Sequence, residues 1–443
     1  MNTPICDFVR QYAESGALRL HMPGHKGMAQ IGPEALDITE IPGADVLYQP
    51  EGIIRESERN AAALFGSART VYSTEGSSLC IRAMVRLARL HAAQCGKPPI
   101  ILAGRNAHKT FLSAAALTGT DVRWLYGEER DLLSCTVTPG ALDKALKEGC
   151  FAAVYLTSPD YLGNTLALEP LAEVCHRHGA LLLIDNAHGA YLKFLSPSRH
   201  PLDQGADLCC DSAHKTMPVL TGGAYLHISK SCPASLSAMA DAAMALFAST
   251  SPSYLTLQSL DRMNRTLAEG WADRLAETAA RLDRLKARLT QAGWKSAGNE
   301  PLKLTLLPKA RGYTGSGLAR ALEAKGIWCE FADPDHIVFM FSPETPAAAC
   351  AALFGALQSI PAREPITETP PRLPEARRVL SPGEAMMRPF ETAALSESVG
   401  RVLAAPSVSC PPAVPILVCG EEISEEAIEV FRYYGINKID VVK

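Results

Sequence analysis

Two apolar runs in this chain end on residues that could do chemistry together. LLLIDNAHGAY (181–191) ends on Asp185, with His188 three residues on. A carboxylate at the end of a buried strand is costly unless a cation or a donor faces it. With His188 it could hold a metal, or alone it could hold a protonated heterocycle. GADLCCDSAHKTMPVLTGGAYLH (205–227) carries a second apolar run into Asp211, Ser212, His214 and Lys215. A lysine on a crevice floor, beside a cation or an apolar wall, gives up its proton more readily and becomes a nucleophile. Upstream, STEGSSLCIRAM (73–84) opens a helical stretch on Gly76, Ser77 and Ser78. Free backbone N–H groups, two hydroxyls and the positive end of a helix suit a phosphate, although an ordinary serine N-cap reads the same way. A phosphate cradle, a strand-end aspartate and a reactive lysine, in that order, suit pyridoxal phosphate, with the lysine on its aldehyde and the aspartate on its pyridinium nitrogen.

Bringing these residues together needs a particular arrangement of elements. From about residue 68 to 228, short apolar runs alternate with amphipathic stretches. PPIILAG (98–104), FAAVYLT (151–157), GALLLID (179–185), ADLCCDS (206–212) and GGAYLHI (222–228) read as strands. Several are apolar throughout, as strands of a mostly parallel sheet covered on both faces are. SLCIRAMVRLARLHAAQ (78–94) and EPLAEVCHRHG (169–179) read as helices, the second stopped by Gly179. This alternation predicts an α/β layer that binds ligands at the carboxyl ends of its strands. Asp185 and Lys215 are about one βαβ unit apart, so nearby strands can present both.

A smaller α+β unit follows. It has one long helical pattern over about 253–292, then strands LKLTLLP (302–308) and HIVFMFS (336–342) around a helix at 315–325. SIPAREPITETPPRLPEARR (359–378) is proline-rich and polar, as linkers are. The predicted divisions are an N-terminal segment over 1–67, a cofactor-binding large domain over 68–252, a small α+β domain over 253–360, a linker over 361–375 and a C-terminal α/β unit over 376–443.

Composition narrows the partners. A net charge of −4 provides no basic field for nucleic acid or anionic membrane. No stretch approaches the run of apolar residues a membrane span needs, and MNTPICDFVRQYAESG does not read as a secretory signal. The 13 cysteines are odd in number, scattered and free of CxxC spacing. They read as small buried side chains in a reducing compartment, and no metal site is expected.

Three histidines directly precede a lysine, at 24–26 (GHK), 107–109 (AHK) and 213–215 (AHK). In AGRNAHKTFLSAAALTG (103–119), His108 follows a strand and could stack on a flat ligand, or it could simply begin a helix.

These stretches resemble the pyridoxal-phosphate-dependent ornithine/lysine/arginine decarboxylases of the aspartate-aminotransferase fold (fold type I). The resemblance rests on LHMPGHKG (20–27), DITEIPGADVLYQPEGIIRESERNAAALFGS (37–67), STEGSS, RNAHKTFLSAAALTG, SPDYLGNTLALEPLAEVCHRHGALLLIDNAHGAY (158–191), DSAHKT and PPAVPILVCGEEI (411–423). It covers nearly the whole chain and is weakest between about 230 and 375. It implies an α/β large domain with a mostly parallel seven-stranded sheet, a smaller α+β domain, and a short form without an N-terminal wing domain. It also implies a cytoplasmic homodimer with active sites at the interface, acting on a small amino acid.

By motif, the resemblance implies that Lys215 is bonded to the cofactor and Asp185 faces its pyridine nitrogen. His108 stacks on the ring, and Ala187 packs on the other face. Gly76, Ser77, Ser78 and the backbone of Leu79 hold the phosphate, helped by Ser212 and His214, and His188 lies toward the ring's oxygen side. Lys215 or His214 would return a proton to the substrate carbon. The chain departs from the family pattern at Glu75, Leu79, Ala413 and Cys419. For the basic end of the substrate, Asp45, Glu51 and Glu421 are the candidate carboxylates. His25 and Lys26 receive no role.

The implied reaction is decarboxylation of arginine, lysine or ornithine. The alternative is another fold-type-I reaction, such as aminotransfer or a lyase reaction. An aminotransferase usually clamps the substrate carboxylate with an arginine of the small domain, where Arg311 and Arg320 lie.

Overall fold

The computed structural model describes residues 1–405 and 413–443, so Pro411 and Pro412 of PPAVPILVCGEEI lie outside the described residues. Its centre is a seven-stranded sheet of β1 (Arg69–Ser73), β2 (Ile100–Gly104), β3 (Asp121–Leu125), β4 (Ala153–Thr157), β5 (Leu181–Asp185), β6 (Leu208–Asp211) and β7 (Ala224–Ile228). Their spatial order is β1-β7-β6-β5-β4-β2-β3. β3, β2, β4, β5 and β6 run parallel to one another, and β7 runs antiparallel between β6 and β1. The carboxyl ends of β4, β5 and β6 therefore lie side by side, where an α/β sheet binds its ligands.

Alternation along each strand divides the core. In β5, Leu181 and Leu183 join the cluster that includes the Gly76–Gln94 helix, whereas Leu182 and Ile184 face the cluster around Leu171 and Cys175 of the Leu168–Arg177 helix. Both faces are thus covered, which is why these strands are apolar throughout.

Beyond the sheet, the helical pattern at 253–292 resolves into two helices, Tyr254–Ala268 and Trp271–Gln291. Gly270 interrupts them at φ +81°, a left-handed conformation that only glycine adopts without strain. A four-stranded antiparallel sheet follows, in the order β10-β11-β9-β8. Its strands are β8 (Ser296–Ala297), β9 (Lys303–Leu306), β10 (Phe331–Ala332) and β11 (Ile337–Met340). Leu304 and Leu306 of β9 enter the core of this unit, so period-two alternation sends Lys303 and Thr305 the other way. Thr305 Oγ1 donates to the Leu162 carbonyl at 2.8 Å, which fixes this face of β9 against the loop that follows β4.

At the C-terminal end, β12 (Phe390–Ala394) pairs antiparallel with β13 (Lys438–Val442), and the Glu425–Tyr433 helix packs beside them. Buried Arg105, just past β2, donates to the carbonyls of Pro415 and Ile416 at 2.8 Å each. This docks the C-terminal segment onto the sheet's carboxyl edge. No helix among the described residues is long and apolar enough to cross a membrane.

A buried polar knot underlies this edge. Asp211, closing β6, accepts from Asn186 Nδ2 at 2.7 Å and His200 Nε2 at 3.0 Å, with His227 Nε2 3.3 Å away. Burial alone would raise its carboxyl, but the charge and hydrogen bonds of His200 and His227 outweigh that and hold it far below the usual range. A carboxyl lowered by folding stabilises above its unfolded pKa, and that contribution fades as pH falls. Urea denaturation is therefore expected to show stability declining below about pH 4, where unfolded aspartate begins to bind protons. Asp211→Ala should cost about 3 kcal/mol at neutral pH, because it strands three buried partners.

Candidate active site

A cavity of about 450 Å³ opens at the carboxyl ends of β4, β5 and β6. Its lining includes Gly76, Ser77, Ser78, His108, Asp185, Ala187, His188, Ser212, His214 and Lys215. One end is the start of the Gly76–Gln94 helix. β1 delivers the chain into the turn at Thr74 and Glu75, and Gly76 N donates to the Gly222 carbonyl at 2.7 Å. Gly222 has φ +94°, and a Cβ there would lie 2.4 Å from the Thr74 carbonyl oxygen, so only glycine lets the two loops approach. Ser212 Oγ donates to Ser77 Oγ at 2.8 Å, and Ser78 Oγ lies 3.3 Å from Thr110 Oγ1. Hydroxyls and free backbone N–H groups thus converge at the positive end of a 19-residue helix, which makes an anion site. The Leu79 side chain points into the core, which leaves only its backbone for such a role.

Asp185 forms the floor. It is 3% exposed and accepts from Tyr155 Oη at 3.0 Å, from Ala187 N at 3.2 Å and from the Cys210 thiol at 3.6 Å. All three donors are neutral, so the carboxylate keeps an attraction for a cation. Burial and this carboxylate push the Tyr155 phenol well above its ordinary range, so Tyr155 stays a donor. Thr157 Oγ1 is buried, finds no hydrogen-bond partner among the described residues and belongs to a residue lining the same cavity. Such a hydroxyl calls for a polar ligand atom.

Lys215 stands on a short turn of helix, Ala213–Thr216, after β6. Its Nζ lies 2.9 Å from His188 Nε2. Burial pulls the amine below the usual lysine range; Asp185 opposes the shift and Lys303 adds to it. His188 is held well below the usual histidine range, first by burial and then by Lys215 and Lys303, so it is a neutral imidazole. His108 N-caps the Lys109–Thr118 helix through Nδ1, which accepts from Thr110 N at 3.1 Å. Burial lowers its pKa too, leaving a flat neutral ring on the cavity wall. His214 Nδ1 donates to the Gly223 carbonyl at 3.0 Å, which leaves Nε2 free to meet a ligand.

The three substrate-carboxylate candidates lie outside this lining. Asp45 accepts from the backbone N–H groups of Val46, Glu51, Gly52, Ile54 and Arg55, capping the Ile53–Phe65 helix. Glu51 is exposed. Glu421 is buried 3.5 Å from Arg105 and accepts from Val418 N at 2.8 Å. Arg311 donates to the Ala292 carbonyl and Arg320 is exposed; neither lines the cavity. His25 lies 3.2 Å from Asp37 and accepts from Gly27 N at 3.0 Å within its own turn.

Several lining residues escaped the sequence reading: Asn106, Thr157, Tyr161, Thr221 and Glu330. Tyr161 Oη donates to Glu330 Oε1 at 2.8 Å. Lys303, also unforeseen, is 3% exposed behind His188. Its Nζ lies 3.3 Å from His188 Nδ1, 3.0 Å from Glu300 Oε2 and 3.2 Å from the Asp160 carbonyl. A lysine inside an apolar-alternating strand was the available signal, since buried ammonium groups need partners.

Comparison with known proteins places this geometry. Residues 3–294 match the family described as Orn/Lys/Arg decarboxylase, major domain. An arginine decarboxylase of Bacillus subtilis is 28% identical, covering 96% of this chain and 92% of its own length. An uncharacterised B. subtilis protein, YaaO, is 29% identical over 97% and 93%. Among solved structures, lysine decarboxylase A from Pseudomonas aeruginosa superposes with a TM-score of 0.80 at 16% identity, covering 99% of this chain and 80% of that one. The fold, with its mostly parallel seven-stranded sheet, is thus that of the fold-type-I enzymes, and the chain belongs to the Orn/Lys/Arg decarboxylase family.

Proposed function

We propose that this enzyme binds pyridoxal phosphate in the cavity and decarboxylates an amino acid with a basic side chain, releasing CO2 and the corresponding amine. The observation that carries the reading is the convergence of a buried aspartate without a cationic partner, a deprotonation-prone lysine and a hydroxyl-rich helix start on one cavity. These residues fit the cofactor group by group. The Gly76–Ser78 turn and Ser212 suit a phosphate, Asp185 suits a protonated ring nitrogen, and the orphaned Thr157 hydroxyl suits a further polar ring substituent. His108 and Ala187 supply flat and apolar walls. The decarboxylases named among the relatives act on arginine, and the solved neighbour on lysine.

When bound, pyridoxal phosphate supplies a conjugated cationic ring that takes up the electron pair left by departing CO2. The remaining work belongs to the chain. Asp185 keeps a cation favourable at the floor, and Tyr155, Ala187 and Cys210 hold its carboxylate in place. The Lys215 amine provides the nucleophile and, once it has taken up a proton, is the group placed to return one to carbon after CO2 leaves. Glu330, exposed at the cavity and fixed by Tyr161, is the carboxylate we assign to the substrate's basic end, replacing Asp45, Glu51 and Glu421. A homodimer in the cytoplasm accompanies this reading by family resemblance.

The purified protein with added pyridoxal phosphate should show a visible absorbance band that is lost in Lys215→Ala; no band in the native chain overturns the cofactor assignment. Asp185→Asn should lower kcat by roughly 10²–10³-fold, as removal of one preorganised electrostatic partner does. Side-by-side assays with arginine, lysine and ornithine should release CO2 from at least one, whereas keto acid without CO2 would identify an aminotransferase. Glu330→Gln should raise KM for the preferred substrate roughly tenfold or more, with a smaller effect on kcat.

A further inference from the structure

The group behind His188 decides which proton sits between that histidine and Lys215. Lys303 has three N–H donors and faces three acceptors: the Glu300 carboxylate at 3.0 Å, the Asp160 carbonyl at 3.2 Å and His188 Nδ1 at 3.3 Å. An ammonium cannot accept, so Nδ1 must be the bare nitrogen of a neutral imidazole and the proton lies on Nε2. That Nε2–H points at Lys215 Nζ, 2.9 Å away. Two donors cannot share this contact, so the partner that fits is a neutral amine with its lone pair toward the histidine.

We propose that Lys303 is a positioning residue that fixes the His188 tautomer and thereby keeps free Lys215 as an unprotonated nucleophile. This rests on Lys215 being the reactive amine of the proposed function. The step it serves is addition of the amine to a C=O or C=N carbon. A C–N bond forms, and the displaced oxygen or nitrogen leaves as water or as an amine, carrying the two hydrogens of the incoming amine. No oxidant or reductant is needed.

The surroundings support the assignment. Facing the His188–Lys215 pair are Asp185 and Cys210 from β5 and β6, His108 and His214 on the cavity wall, and Glu330 beside β10; Lys303, Glu300 and Asp160 lie behind. Tyr161 packs edge-on against the His188 ring, with centroids 5.1 Å apart, which holds its plane. Lys303 reaches this position because β9 alternates and Thr305 fastens the same face to the Leu162 carbonyl. Burial lowers both His188 and Lys215, in agreement with a neutral pair.

The test uses the full chain stripped of cofactor. Formaldehyde with cyanoborohydride methylates only unprotonated lysine amines, so mass spectrometry of the Lys215 peptide against pH gives a labelling midpoint for that amine. Wild-type Lys215 should titrate at least one pH unit below exposed lysines, and an ordinary midpoint overturns the proposal. Lys303→Met should raise the midpoint by about one unit, a tenfold slowing below it. Because that change strands Glu300, the double variant Glu300→Gln/Lys303→Met is measured too. A wild-type midpoint in either variant, with the thermal transition retained, refutes the role of Lys303. His188→Gln tests the other half, since its amide oxygen can accept from Lys303 while its NH2 donates to Lys215; it should keep the low midpoint, and an upward shift counts against the relay. The labelling needs no pyridoxal phosphate, so its failure is distinct from absence of the cofactor's absorbance band.

Discussion

Everything around the cavity depends on one electrostatic imbalance: the Asp185 carboxylate is buried among neutral donors. Three hydrogen bonds make the burial tolerable without cancelling the charge, and a low-dielectric setting makes the remaining attraction for a cation strong. The chain's nearby bases do not cancel it. Burial drives His188, His108, His214 and Lys215 toward their neutral forms. The site therefore holds a negative floor, neutral imidazoles and an amine short of its proton, which is the state an incoming cationic ring and a carbonyl would need. Lys303, behind the histidine, is ion-paired with Glu300 at 3.0 Å.

The fold supplies this imbalance through position. Asp185 closes β5 and Lys215 stands on the turn that follows β6, and the carboxyl ends of these adjacent parallel strands are level because residues 183–185 register with 208–210. Tyr155 reaches Asp185 because β4 is the other neighbour, with Thr157 opposite Asp185. The Gly76–Gln94 helix follows β1, at the far side of antiparallel β7, and needs Gly222 for its start to come close. A one-residue slip in any of these pairings would turn a cavity-lining side chain into the apolar core.

Much of this was legible in the sequence because the physics is local. Continuous apolar runs mark strands buried on both faces, and a polar residue closing such a run marks a strand end. Such runs mark β2, β4, β5, β6 and β7, and with them Asp185, Ser212, His214 and Lys215. β1 and β3 carry no such mark, because Arg69 and Arg123 break the apolar pattern; Arg123 is exposed. Two helices read as one in the sequence, since amphipathic spacing continues across the break at Gly270. The carboxylate candidates Asp45, Glu51 and Glu421 were chosen by motif, but their partners are fixed by tertiary contacts that spacing does not encode. Asp45 is occupied by a helix end, and Glu421 by an arginine more than three hundred residues away in sequence.

Lys303 ties the four-stranded antiparallel sheet to the cavity. Charged residues inside apolar strands are rare because desolvation is costly. This one remains because β9 faces two ways: Leu304 and Leu306 enter the core beside the four-stranded sheet, while Lys303 and Thr305 grip the loop after β4 through the Asp160 and Leu162 carbonyls. The same contacts that seat β9 against the loop after β4 thus set the proton on His188. A shift of β9 by even an ångström would lengthen the 3.3 Å contact to Nδ1 beyond hydrogen-bonding range, and the imidazole could then turn its lone pair toward Lys215 and stabilise the ammonium instead. Seating of β9 and readiness of the amine are therefore one structural variable rather than two.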